Sequence, residues 1–314
     1  MNLKLLKKSL YCGFLFWGGT LIAQQDSQYT QYMYNPITIN PAYAGSRGVM
    51  SIFGLYRAQW VGLDGAPKTG AASIHTPISD TNVGIGLSFV NDRIGPSDET
   101  NISVDISYTV PVSERYKLAF GVKATANLLN VDYTKLNIYN PSDPRFQNNV
   151  DNKFSPNIGT GAYLYSENTY IGLSAPALLQ TKHFDETADY NTSSSFVAKE
   201  QIHYYLMGGH VFDLAYNLKF KPSALVKMTQ GAPLQVDLSA NFLFSEKFTA
   251  GVAYRWDAAV SALVGFQVSD GLFIGYAYDA ETTRLANYNS GSHEVFLRFE
   301  LFKSYDKIIS PRFF

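Results

Sequence analysis

Cysteine is all but missing from this sequence. The chain holds one, Cys12, and it lies within the first 23 residues. No intrachain disulfide can form, and a thiolate metal site is excluded. Charge is also sparse: Asp, Glu, Lys and Arg make up 16% of the residues, against about 25% in an ordinary soluble domain. The two signs nearly cancel, giving a formal −1, and no basic stripe marks a nucleic-acid partner. After residue 23 there is no apolar run of about 18 residues, which rules out membrane-spanning helices. Aromatics, by contrast, are plentiful at 15%, with 22 Tyr and 21 Phe.

Residues 1–23 read as a signal peptide. Lys4, Lys7 and Lys8 precede an apolar stretch, and Ala23 ends a cleavage site. An uncleaved anchor and a lipoprotein at Cys12 are the alternatives; the apolar run is short for the first, and Ser9-Leu10-Tyr11 is wrong for the second. Residues 24–45 form a distinct stretch in which Tyr29, Tyr32, Tyr34 and Tyr43 are set among Gln and Asn. Asn35-Pro36 and Asn40-Pro41 fix turns there and withhold backbone donors from any ladder. So many aromatics need burial, and an ordered segment tucked into the periplasmic mouth or the lumen of a barrel is expected rather than a disordered leader.

The barrel itself is expected from repetition. Along Lys117–Asn127, Leu118, Phe120, Val122, Ala124 and Ala126 alternate with Lys117, Ala119, Gly121, Lys123, Thr125 and Asn127. This is the period of a strand. Fourteen such stretches fall near 48–60, 68–77, 82–92, 100–110, 116–128, 155–166, 168–175, 200–212, 216–229, 233–244, 247–257, 258–269, 271–280 and 292–302. Every other connection is tight, at 79–81, 112–115, 166–168, 213–215, 245–246 and 269–271, while those between include the long 131–154, 176–199 and 281–291. Short periplasmic turns alternating with longer outer loops belong to outer-membrane barrels, which use even strand numbers. The expected fold is an all-β, transmembrane, antiparallel up-and-down barrel of about 14 strands over residues 46–302. A periplasmic tail follows at 303–314, and both chain ends are expected in the periplasm.

If the apolar faces meet lipid, then Arg57, Asp105, Lys123, Lys219, Lys221, Lys227, Asp237, Arg255, Glu294, Arg298 and Glu300 point inward. Mixed signs at this density suit networks across the lumen rather than a one-sign selectivity ring. Arginine at Val122 should be costly, and a charge change at neighbouring Lys123 far milder. Catalytic patterns are poor. Gly62–Thr69 resembles a phosphate loop, but Pro67 stands where glycine is required and no helix follows. His75 or His293 beside a Ser or Asp at the lumen mouth is the one hydrolase dyad left open. Asp143 and Asp151 lack calcium-loop spacing. No catalytic residue, cofactor or metal is assigned.

Particular residues carry a resemblance. Gln28–Gly48, reading QYTQYMYNPITINPAYAGSRG, resembles the N-terminal signature of the PorP/SprF family of the type IX secretion system. Tyr56–Trp60 with Gly65–Thr69 is similar to a second signature, Asn91–Pro96 to a third, and Ser310–Phe314 to the family's usual ending. The resemblance implies a non-enzymatic outer-membrane barrel of Bacteroidota. Such a barrel would support secretion or surface attachment of substrates with a type B C-terminal domain, such as gliding adhesins. It also implies possible partnership with a periplasmic peptidoglycan-binding lipoprotein and other type IX components, besides outer-membrane lipid. The alternative is a passive or ligand-specific channel of the fatty-acid-transporter kind. Candidate plug or partner contacts are Tyr32, Asn35, Pro36, Asn40, Pro41, Tyr43, Gly45, Arg57, Gln59, Trp60 and Pro67. Arg57 and Gln59 are expected to face the lumen below the first outer loop. Trp60 is expected at the membrane interface.

Overall fold

The computed structural model describes residues 29–137, 149–180 and 201–301. The signal peptide, Cys12, Asp143, His183 and the tail at 303–314 lie outside the described residues, as do parts of the loops at 131–154 and 176–199. The strands are β1 (Met50–Ala58), β2 (Lys68–Pro77), β3 (Val83–Ile94), β4 (Ser97–Pro111) and β5 (Lys117–Val131). Next come β6 (Val150–Tyr165), β7 (Thr169–Ala175), β8 (His203–His210), β9 (Phe212–Ala215) and β10 (Leu218–Thr229). The circuit ends with β11 (Gln235–Phe244), β12 (Phe248–Arg255), β13 (Ala259–Gln267), β14 (Leu272–Glu281) and β15 (Ser292–Leu301). Each pairs antiparallel with its neighbour, and β15 returns to β1 with Met50 opposite Leu301 and Arg57 opposite Glu294.

β8 and β9 both lie along β10 and are separated only by Val211, so the fifteen segments make fourteen staves of a closed barrel. The tight turn expected at 213–215 stands at 216–217 instead, because β9 carries the ladder past the break. Asp213 reads as a turn residue in sequence yet pairs with Lys219.

The alternation on β5 is as the sequence implies: Phe120 and Val122 face outward, while Ala119 and Lys123 are buried. Strand ends differ more. β4, β5 and β6 run three to five residues further toward the long loops than their patterns suggest. The β3–β4 hairpin is closed there by Gly95-Pro96. Asn91 donates to Asp98 and Thr100 at 2.6 and 2.9 Å, and Arg93 pairs with Asp98. Polar residues on both faces erase the alternation where strands rise clear of lipid, so they read as loop. On the lipid face, Val122→Arg should destabilise the barrel by about 2–4 kcal/mol. Urea titration of the heat-modifiable band would measure it, with Lys117→Glu at the exposed rim as the mild control.

Candidate functional site

The lumen is filled by polypeptide. Between Tyr29 and Arg47 the chain makes three single 3-10 turns, Tyr32–Tyr34, Pro36–Thr38 and Pro41–Tyr43. Two begin on proline, whose ring presets the dihedral of a first helical residue and lacks a donor that would go unused. The asparagine before each proline is pushed out of helical space, so the path bends at Asn35 and Asn40. Asn40 also caps the third turn, its side-chain oxygen accepting from Ala42 N at 3.0 Å. Nearly every side chain here is buried, Ile37, Asn40 and Ala42 completely.

These turns leave carbonyls and amides that no ladder satisfies, and the barrel wall supplies their partners. Near the tight turns, Ser107 donates to Ala44 O at 2.7 Å, and Gly45 N donates to His75 Nδ1 at 3.2 Å. Midway, Lys123 Nζ donates to Ile37 O and Thr38 O, both at 3.0 Å, and stands 3.4 Å from Asp105. Ser174 donates to Ile39 O, Ser73 to Asn35 Oδ1, and Asn40 Nδ2 to Ala162 O. The Tyr34 ring packs on Phe296 and Phe273 at 4.7 and 5.5 Å between centroids, with Lys221 Nζ 5.2 Å over its face. The walls are thinned to admit the segment. A Cβ on Gly121 would stand 2.2 Å from Ala42 N, and one on Gly84 would stand 2.2 Å from Ala44 O.

At the long-loop end the holding is ionic. Arg57 reaches Asp279 at 2.7 Å and Glu294 at 3.0 Å, with all three side chains buried. Thr30 N and Gln31 N donate to the two Glu294 oxygens at 3.0 and 2.9 Å, and Thr30 Oγ1 donates to Asp279 at 2.6 Å. Arg57 also donates to Thr30 Oγ1 and, through Nε, to Gln59 at 2.8 Å. Arg255 pairs with Asp237 at 2.6 Å alongside. At the opposite end Arg47 is ion-paired to Glu300 and donates to Tyr43 OH at 3.3 Å. Both charges of each pair are desolvated, but each has hydrogen bonds to offset that cost.

The connections at the long-loop end are tied to one another. Gln59 N donates to Pro67 O at 2.9 Å, closing the first hairpin. Gly95 N donates to Gly65 O at 2.9 Å, and Thr69 Oγ1 to Asp92 at 2.6 Å, joining the second and third signatures. Val61 and Ser290–Gly291 exchange backbone bonds, and Asp132 N donates to Pro96 O. Trp60 takes φ 46° beyond the end of β1 and donates from Nε1 to Glu281 at 2.8 Å. It is half-buried against the top of β14.

The candidate residues thus fall into two groups. Tyr32, Asn35, Pro36, Asn40, Pro41, Tyr43 and Gly45 line the segment, while Arg57 anchors its start. Gln59, Trp60 and Pro67 belong to the rim. The described start of the segment stands at the long-loop mouth, because its ionic partners sit at the loop ends of β1, β14 and β15. The tolerance expected at Lys123 is also revised. The lumen around it is filled, so Lys123→Glu would remove donors to two carbonyls and set a second carboxylate beside Asp105.

The two dyad histidines are spent elsewhere. His75 accepts from Gly45 inside the lumen, whereas His293 is on the outer face with Tyr276 OH 2.6 Å from its Nδ1. Thr30, Gln31, Asp279 and the serines of the wall carry no pattern of their own in the sequence that marks them as contacts. Small residues at inward positions opposite a proline-bent segment were the signal available. Beside the segment's lower end a cavity of about 930 Å³ opens at the tight-turn mouth, lined by Ala44–Val49 and the turns near Asn82, Arg115 and Glu167.

A family model described as "Type IX secretion system membrane protein PorP/SprF" matches residues 21–299. No curated protein matches the chain. Among solved structures, the Acinetobacter baumannii outer membrane protein Omp33 is 8% identical, covering 81% of this chain and 98% of its own, at a TM-score of 0.48. The CymD monoaromatic hydrocarbon channel is 12% identical over 90% and 94%, also at 0.48. A Pseudomonas aeruginosa FadL homologue is 14% identical over 81% and 89%, at 0.42.

Proposed function

Because the chain belongs to the PorP/SprF family of type IX secretion system membrane proteins, we propose that it is a non-enzymatic, lumen-filled outer-membrane barrel. Its task in this reading is to support secretion, surface attachment, or both, of substrates carrying a type B C-terminal domain, gliding adhesins among them. The observation that carries the reading is the segment at Tyr29–Arg47, bonded to staves on several sides of the lumen. A polypeptide so held keeps a barrel in one shape and offers a rigid surface at each mouth. Rigid surfaces bind proteins without an ordering cost. The channel alternative requires an open lumen, and the segment stands across it.

The tight-turn mouth, with its cavity beside Ala44–Val49, is the surface this reading gives to a periplasmic peptidoglycan-binding lipoprotein or another type IX component. Outer-membrane lipid covers the apolar wall. The organism of this reading is a member of the Bacteroidota, and residues 1–23 act as its signal peptide.

The test is an affinity pull-down of tagged protein from native outer membrane, together with a deletion strain. The expected result is recovery of a large secreted protein with a type B domain and loss of that protein from the surface of the deletion strain. Normal display in the deletion strain, with steady ion current through the purified barrel in planar bilayers, would replace this reading with the channel.

A further inference from the structure

The outward face of β2, β3 and β4 turns from apolar to cationic toward the long-loop end. Its last apolar row is Ala72, Phe89 and Ile102, three residues opposite one another in register. Gly70, Asn91 and Thr100 follow, and then Lys68, Arg93 and Asp98. Thr69, between Gly70 and Lys68, is buried, so the alternation turns Lys68 away from the lumen. Four residues beyond Ala72, at about 3.4 Å each and a tilt near 40°, is a rise of roughly 10 Å. Headgroups fill the ~5–8 Å outside the hydrocarbon core. A lysine or arginine stem laid back along the wall brings its charge down into that layer.

Like charges directly opposite on neighbouring strands repel, and Lys68 faces Arg93. Asp98 answers only one of them. Arg93 donates to it from Nε and Nη2 at 3.0 and 2.6 Å, leaving Nη1 unengaged among the described residues. The Lys68 ammonium has no ion pair or hydrogen bond among those residues. Two cations and one carboxylate thus leave the row with one positive charge over. Below it the wall is low. Gly54 lies opposite Ala72, and Gly70 lies opposite Tyr56. A Cβ on either glycine would meet nothing within 4 Å. Tyr56 and Phe89 stand out beside them, 56% and 44% exposed, so the small residues form the floor of a furrow along β1 and β2.

We propose that Lys68 and Arg93 hold the phosphate headgroup of a membrane lipid, one of whose acyl chains lies in the furrow over Gly54, Gly70 and Ala72. Lysine supplies a point charge and arginine a fork of donors, and both bind phosphate. A lipid rather than free phosphate is the occupant because the cations stand on the bilayer side of the wall, directly above an apolar groove. Tight turns face the periplasm in barrels of this type, which puts the site in the outer leaflet. The site belongs to the wall and not to the lumen, so it goes beyond the secretion reading and does not depend on it.

Native mass spectrometry of the purified barrel in detergent tests this, with phosphatidic acid, diacylglycerol of the same chains, and inorganic phosphate as probes. Phosphatidic acid should be retained in preference to diacylglycerol, and inorganic phosphate at equal concentration should not displace it. Lys68→Gln should weaken retention about tenfold, the loss of one charge-assisted hydrogen bond. Gly70→Leu, which fills the furrow and leaves both cations in place, should weaken it as well. Lys135→Gln, at an exposed lysine of the same end paired with Asp132, should change nothing. Equal retention of the two lipids, or retention unmoved by Lys68→Gln, overturns the proposal. Displacement by inorganic phosphate, with Gly70→Leu silent, would show an anion site without a lipid and overturns it too. Surface display in the deletion strain decides the secretion reading separately, since neither result bears on the other.

Discussion

Arg57→Met should remove about 3–5 kcal/mol from the stability of the barrel, the usual cost of leaving a buried charge without its partner. Arg57 is the cation between Asp279 and Glu294, at 2.7 and 3.0 Å, and all three are almost fully shielded. Methionine fills similar volume, so the loss is electrostatic rather than a cavity. Both carboxylates also hold Thr30 and Gln31, and their repulsion should loosen the start of the lumen segment before the wall gives way. Urea titration of the purified barrel in vesicles would read the first effect. Protease sensitivity near Tyr29 would read the second. Arg57→Lys should fall between, since it keeps the charge but not the two-pronged donor geometry. The triple change Arg57→Met, Asp279→Asn, Glu294→Gln should recover much of the loss, because no buried charge is then left alone. An Arg57→Met protein as stable as the parent would show that the ion cluster contributes nothing.

Gly121→Val should convert a closed barrel into a conducting one. A Cβ at that position would lie 2.2 Å from Ala42 N and 2.4 Å from Pro41 C, both backbone atoms of the segment. Overpacking against yielding side chains costs about 1–3 kcal/mol, but here backbone faces backbone and neither rotamer nor side chain can step aside. The wall ladder of β5 does not depend on the segment, with Gly121 between Ser107 and Gly161 in register. The wall should therefore form and the segment should leave. In planar bilayers, the parent should be silent and Gly121→Val should pass ions. Gly84→Val, aimed at Ala44 O, should do the same. Gly54→Val, with nothing within 4 Å of its Cβ, should remain silent. Silence in all three would mean that the lumen is sealed by something other than this segment.

The barrel was legible because its physics is periodic. Phe120 and Val122 alternate with Ala119 and Lys123 since one face meets lipid and the other does not, and that demand is written locally. The signal faded where the demand ends. Asn91, Asp98 and Asn130 sit on strands that rise above lipid, and without a lipid face their alternation disappears. The lumen segment was legible as a thing needing burial, from its tyrosines and its two Asn-Pro pairs. Its direction was not. That depends on which inward residues meet it, and Thr30 with Glu294 is a pairing across 264 positions that no local pattern encodes. Lys123 misled for the same reason: its face was correctly inward, but sequence does not say whether an inward face meets water or protein.

The filled lumen has a consequence for how the molecule comes to exist. Bonds from the segment reach Ser73 on β2, Ser107 on β4, Lys123 on β5, Ser174 on β7 and Glu294 on β15. A finished cylinder has no side door, and drawing sixteen residues lengthwise through a packed bore would break nearly all of these bonds at once. Neighbouring staves join through connections far shorter than the barrel is long in sequence, whereas the meeting of Met50 with Leu301 closes a loop that holds every stave. Contacts so distant in sequence make folding slow. The segment precedes every stave in the chain, and it touches early and late ones alike. It is thus placed where a mandrel would be: in the folded barrel the first and last strands touch the same residue of it, Thr30, through Arg57 and Glu294. A wall closed without the segment, as expected of Gly121→Val, would have only its own ladder to bring those two strands together.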